Sequence, residues 1–118
     1  MAMVLVVDDE FGVASLLEDV LTDEGHSVVI ASNGRQALER VAAQRPDIIL
    51  TDFMMPIMDG AALINALKAD ENTAQIPVVV MSSLPEAAIA ERCRGYAVVV
   101  RKPFKIFSFI KIIDDLII

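Results

Sequence analysis

Four short apolar runs in this chain end on groups that can do chemistry. MVLVV (3–7) stops at Asp8-Asp9-Glu10, and DIILT (47–51) runs into Asp52. IPVVVMS (76–82) ends at Ser82-Ser83, and YAVVV (96–100) at Arg101-Lys102. Clustered carboxylates repel one another unless a hard cation sits among them, and Mg²⁺ takes one or two carboxylates together with waters and phosphate oxygens. A lysine ammonium pairs with an anion, and a serine hydroxyl donates to a phosphoryl oxygen. Asp8, Asp9, Asp52, Ser82 and Lys102 are therefore an inventory for phosphoryl transfer to an aspartate, where positioning and charge neutralisation carry the catalysis.

Other chemistries lack their parts. The glycines form neither G-x-G-x-x-G nor G-x-x-x-x-G-K, which removes the dinucleotide and P-loop readings. A serine hydrolase needs a histidine, and the single one, His26, falls between a helix and a strand at the end of the sheet away from these groups, where it reads as a surface turn residue. One cysteine, Cys93, and one histidine make no zinc site. An aspartate-nucleophile phosphohydrolase would want a second aspartate two residues after Asp52, where Met54 stands, and no phosphate-cradling loop for a flavin follows the first strand.

The inventory matters only if the chain brings its four ends together, and the hydropathy pattern gives the elements that would do so. Val13, Leu16, Leu17, Val20 and Leu21 recur at helical spacing between Phe11 and Glu24, and Gly25 closes that helix. SVVIA (27–31) is the second strand. Asn33-Gly34 turns into a helix over 35–44, and a third helix opens at Asp59-Gly60, with Asp59 as its cap. A shorter helix is predicted over 85–94 and a last one over 104–118. Five doubly apolar strands, each followed by a helix, predict an α/β parallel sheet covered on both faces. Element order alone does not fix the strand order; for a five-unit chain the leading arrangement is flavodoxin-like (βα)5, 2-1-3-4-5. In that order strands one, three, four and five are neighbours, and ligands bind outside their carboxyl ends.

Composition agrees. At 118 residues, 55% of them hydrophobic, the expectation is one domain over 1–118 with a well-filled core. A formal charge of −7 argues against nucleic-acid binding by this domain. No apolar run reaches the ~20 residues that a membrane helix needs. The opening MAMVLVVDDE lacks the basic leader and cleavage site of a signal peptide, and a lone cysteine fits a reducing compartment, so a cytoplasmic setting is expected.

Taken in order, these segments resemble the receiver (response-regulator) domains of two-component signalling, the CheY-like superfamily. VLVVDDE resembles the family's first strand and acidic pair; DIILTDFMMPIMDG its acceptor strand and the proline-bearing loop; IPVVVMSS its fourth strand with a terminal hydroxyl; and RKPF its lysine-proline motif. The resemblance implies a phosphorelay domain that accepts a phosphoryl group and is not itself an enzyme. It makes Asp52 the phospho-acceptor. Asp9, Asp52 and the Met54 backbone carbonyl become ligands of Mg²⁺ (or Mn²⁺), with Asp8 acting through water. Ser82 would hold a phosphoryl oxygen, and Lys102, before a cis peptide to Pro103, would pair with carboxylate and then phosphoryl. The implied donor is a histidine kinase or histidine phosphotransfer protein, docking on helix one and the Met54–Met58 loop. The output surface is helix four, strand five and helix five.

The chain departs from the family pattern in four places. Val99 replaces an aromatic whose rotation couples to the hydroxyl, helix four is short and opens on Pro85, and Met54 and Leu84 put apolar side chains along the route of attacking water. That last pair implies a slowly hydrolysing phospho-aspartate. The final stretch KIFSFIKIIDDLII carries more apolar residues than one helix face buries, which points to a homodimer or a downstream partner. The alternative reading is a pseudo-receiver, an interaction module that keeps the acidic pocket but signals without phosphorylation. Val99 and the apolar last helix favour it mildly, and the complete acid-hydroxyl-lysine set opposes it.

Overall fold

The computed structural model describes residues 2–117. Strands and helices alternate: β1 Met3–Val7, α1 Phe11–Asp23, β2 Ser27–Ala31, α2 Gly34–Ala43, β3 Ile48–Asp52, α3 Gly60–Ala69, β4 Val78–Ser82, α4 Glu86–Ala90, β5 Val98–Arg101 and α5 Ile106–Ile117. All pairings are parallel, in the order β2-β1-β3-β4-β5, the flavodoxin-like arrangement expected as the leading one for a five-unit chain. Val7 lies beside Thr51, Asp52 beside Met81 and Ser82 beside Arg101, so the carboxyl ends of four strands share one edge.

Alternate residues of each strand feed opposite layers. Val4, Val6, Leu50, Val79 and Met81 pack with Leu17 and Leu21 of α1 and Phe109 and Ile113 of α5. Leu5, Val7, Ile49, Val78 and Val80 pack with Ala37 of α2, Leu63, Ile64 and Leu67 of α3 and Ile89 of α4. Burying each such side chain contributes about 1.5–3 kcal/mol, so the sheet is fixed from both faces. Asn33 and Asp59 cap α2 and α3, accepting from the backbone N–H of Gln36 and Ala62. Gly25, with φ +90°, ends α1 as its position predicts.

Four expectations need correction. The fourth helix, predicted over 85–94, is a single turn, Glu86–Ala90. The Arg92 and Cys93 N–H groups both fold back on the Ile89 carbonyl, Cys93 is buried, and Gly95 takes φ +94°. Strand five begins at Val98, two residues later than predicted, because Tyr96 reaches instead to α4, its hydroxyl 3.2 Å from Glu86 Oε2. The surplus of apolar surface on α5 is also smaller: Ile112, Leu116 and Ile117 lie against the core, and Phe107 alone of its large apolar residues is exposed, at 89%. Ile118 lies outside the described residues. Finally, the His26 side chain is 8% exposed rather than a free surface turn. Its Nδ1 accepts from the Ala2 N–H, and its Nε2 stands 3.5 Å from Asp114 of α5.

Candidate phosphoryl-acceptor site

Each candidate side chain stands where its strand runs out. β3 is wholly buried and carries Asp52 as its last residue, 8% exposed. The Phe53 N–H donates to Asp52 Oδ1 at 2.8 Å, which fixes the rotation of the carboxylate and turns Oδ2 toward Lys102. Lys102 follows β5 before a cis peptide to Pro103, and its Nζ lies 3.5 Å from Asp52 Oδ2 and 3.7 Å from Asp8 Oδ2. At those lengths the ammonium is shared between two carboxylates and tightly bound to neither.

Asp8, just past β1, is 2% exposed and is brought directly beside Asp52. Its Oδ1 accepts from the Glu10 N–H, whereas Oδ2 is buried with no hydrogen-bond partner. Burial raises its pKa above the ordinary carboxylate value, and the neighbouring Asp52 and Glu10 charges push the same way, against the Glu10 N–H and Lys102. Among the described residues, the carboxylates that come within 4.8 Å of one another are Asp8, Glu10 and Asp52. Asp9 is exposed and is not a member of that three-acid group. Glu10, the N-cap residue of α1, is marked in the sequence only by its adjacency to the acidic pair. An orphaned, buried carboxylate oxygen inside a three-acid group suits a hard divalent cation.

Ser82 ends β4, is 3% exposed, and accepts the Leu84 N–H on its hydroxyl oxygen at 3.0 Å. Its carbonyl accepts the Lys102 N–H, tying the two strand ends together. Met54 lies on the loop after Asp52 with its side chain 59% exposed, and Leu84 is half-buried against the core. Val99, where the family pattern has an aromatic, is half-buried in the α2–α3–α4 layer. Around the opening stand exposed Phe11 at the start of α1 and Ile57 on the loop. Ile57 has φ +69°, a left-handed backbone rare for a β-branched residue.

Comparison with known proteins agrees with this geometry. The family model "Response regulator receiver domain" matches residues 4–114. The chain is 36% identical over 106 residues to the sporulation initiation phosphotransferase F of Bacillus subtilis, covering 87% of this chain and 83% of that protein. It is 47% identical over 83 residues to the response regulator PleD of Caulobacter vibrioides, covering 70% of this chain but only 18% of the relative. Among solved structures, the receiver domain of a signal transduction histidine kinase from Syntrophus aciditrophicus superposes with TM-score 0.93 at 28% identity, covering 99% of this chain and 90% of that one. The receiver domain of a Pseudomonas aeruginosa PAO1 sensor histidine kinase, described with a magnesium ion coordinated in its active-site cleft, gives TM-score 0.90 at 27% identity over 98% of this chain and 97% of that one. Fold, acidic pocket and sequence together place the chain in the response regulator receiver domain family of two-component signalling.

Proposed function

We propose that the domain takes a phosphoryl group onto Asp52 from a phosphohistidine on a histidine kinase or phosphotransfer protein. In that step an Asp52 carboxylate oxygen forms a bond to phosphorus while the phosphorus–nitrogen bond breaks, and the electron pair leaves on the imidazole, which takes up a proton. The observation that carries the reading is the Lys102 ammonium poised between Asp52 and Asp8, with Ser82 on the adjoining strand end. Lys102 balances the buried carboxylates before transfer and pairs with the phosphoryl group after it. Ser82 exchanges its Leu84 contact for a phosphoryl oxygen, to which its hydroxyl donates. The proposed switch surface is α4, β5 and α5, and Phe107 is its point of contact for a second copy or a downstream partner.

Asp8, Asp9, Asp52 and the Met54 carbonyl are the proposed holders of Mg²⁺ (or Mn²⁺), Asp8 through water. The ion would neutralise these carboxylates and the oxygens of the group in flight. The grouping of Glu10 with Asp8 and Asp52 favours a second ligand set, in which Glu10 takes the place of Asp9. Magnesium titrations of D9N and E10Q separate the two, since only the variant that removes a ligand weakens binding, by about 10-fold or more.

Incubation with Mg²⁺ and acetyl phosphate, followed by intact mass, tests the function. One phosphate on the wild type and none on D52N is the expected result; an unmodified wild type would favour the pseudo-receiver. Met54 and Leu84 line the approach with apolar side chains, so the adduct should decay several-fold more slowly than in M54N/L84N. Equal decay would dismiss their shielding role.

A further inference from the structure

The β3–α3 loop runs from the acceptor to the cap of α3, and a single side chain holds both of its ends from outside. Arg92, just past α4, puts Nη2 2.8 Å from Asp59 Oδ2. The same guanidinium lies over the Phe53 ring, 5.2 Å from its centroid. Phe53 is fully buried, follows Asp52 directly and fixes that carboxylate through its N–H. Asp59 divides its oxygens: Oδ1 caps α3 at the Ala62 N–H, and Oδ2 takes Arg92. Between these ends the loop is under strain, with Ile57 at φ +69° and a tight Met58 N–H to Pro56 carbonyl bond of 2.7 Å. A strained segment keeps its shape only while its surroundings hold it.

We infer that Arg92 is a positioning residue: by bridging Phe53 and Asp59 it holds the loop after Asp52 in the arrangement that presents the acceptor and the Met54 backbone, and it joins that loop to α4. The inference rests on Asp52 being the acceptor. Arg92 stands in the turn that closes α4, where its own N–H makes the tighter i→i−3 bond to the Ile89 carbonyl, and from there its side chain reaches the loop. The bridge also gives the loop a mechanical connection to α4 that needs no aromatic at position 99. Because the ion pair is half exposed, it adds little to global stability, and its effect is local.

The test uses R92Q, R92K, D59N and R92Q/D59N. Asn at position 59 keeps the helix cap while removing the charge. Amide hydrogen exchange of residues 54–58 in metal-free protein, the Mg²⁺ concentration giving half-maximal protection there, and the rate of phosphate uptake from acetyl phosphate are read together. R92Q and D59N should each exchange faster and need about fivefold more Mg²⁺, the size expected of a half-exposed ion pair with a cation–π contact. Their urea midpoints should stay near wild type, the double variant should be no worse than either single one, and R92K should recover most of the loss. Molar salt should bring wild type and R92Q together. Loop exchange and Mg²⁺ requirement within twofold of wild type in both single variants, or losses that add in the double variant, would overturn the bridge. A wild type that takes up no phosphate would sink the acceptor reading instead, while the exchange and Mg²⁺ measurements would still decide the bridge.

Discussion

Asp8 carries the charge that the pocket tolerates least, since it is nearly out of water with one oxygen that no hydrogen bond reaches and only a distant ammonium faces. Its raised native pKa means that the native state holds a proton that the unfolded chain has already lost. Stability therefore falls as pH rises from the ordinary value of 3.8 through the native one, and the full penalty stands above it. Asn at this position keeps the Oδ1 acceptor for the Glu10 N–H and drops the charge. In chelator, D8N should be more stable than wild type at pH 7 by about 1 kcal/mol, and the gain should vanish near pH 4 in urea denaturation. A D8N protein less stable than wild type at pH 7 would contradict the account. Ile57 gives a second residue-scale prediction. It is 78% exposed, so it loses no packing on replacement, and I57N should stabilise by about 1 kcal/mol because Asn adopts a left-handed backbone more readily.

Among the elements, α3 sits as close to Asp52 as backbone permits. A Cβ on Gly60 would lie 2.6 Å from the Asp52 carbonyl oxygen and 2.9 Å from Phe53 Cα, and neither atom can swing aside. G60A should cost about 1–3 kcal/mol in stability and slow phosphate uptake, because α3 must back away from the residue it supports. Unchanged stability in a denaturant titration would refute this close fit. The strands were legible in the sequence because each is a short apolar run ended by a polar or turn residue; their order was not, since βα alternation fits more than one order and 2-1-3-4-5 was only the leading arrangement for five units. Asp8, Asp52, Ser82 and Lys102 were legible because they end those runs. Local pattern says less about α4, whose length depends on where Cys93 is buried and Arg92 is drawn. It is silent on His26 and Glu10, whose neighbours come from distant or irregular parts of the chain. Arg92 carried no signal of its own, since its partners, Phe53 and Asp59, lie more than thirty residues away.

At the scale of the whole molecule, the sheet edge assembles acid, hydroxyl and amine from four strands, and no loop has to move to bring them together. No helix among the described residues is long and apolar enough to cross a membrane. Some relatives are far longer than this chain, which spans 18% of the PleD regulator. The central claim concerns one carboxylate. Wild-type protein charged with acetyl phosphate and Mg²⁺, then reduced with borohydride and digested, should show one new homoserine, at position 52, because borohydride reduces an acyl phosphate to the alcohol. Homoserine at Asp8, Asp9 or any other acid, with position 52 still aspartate, would contradict it.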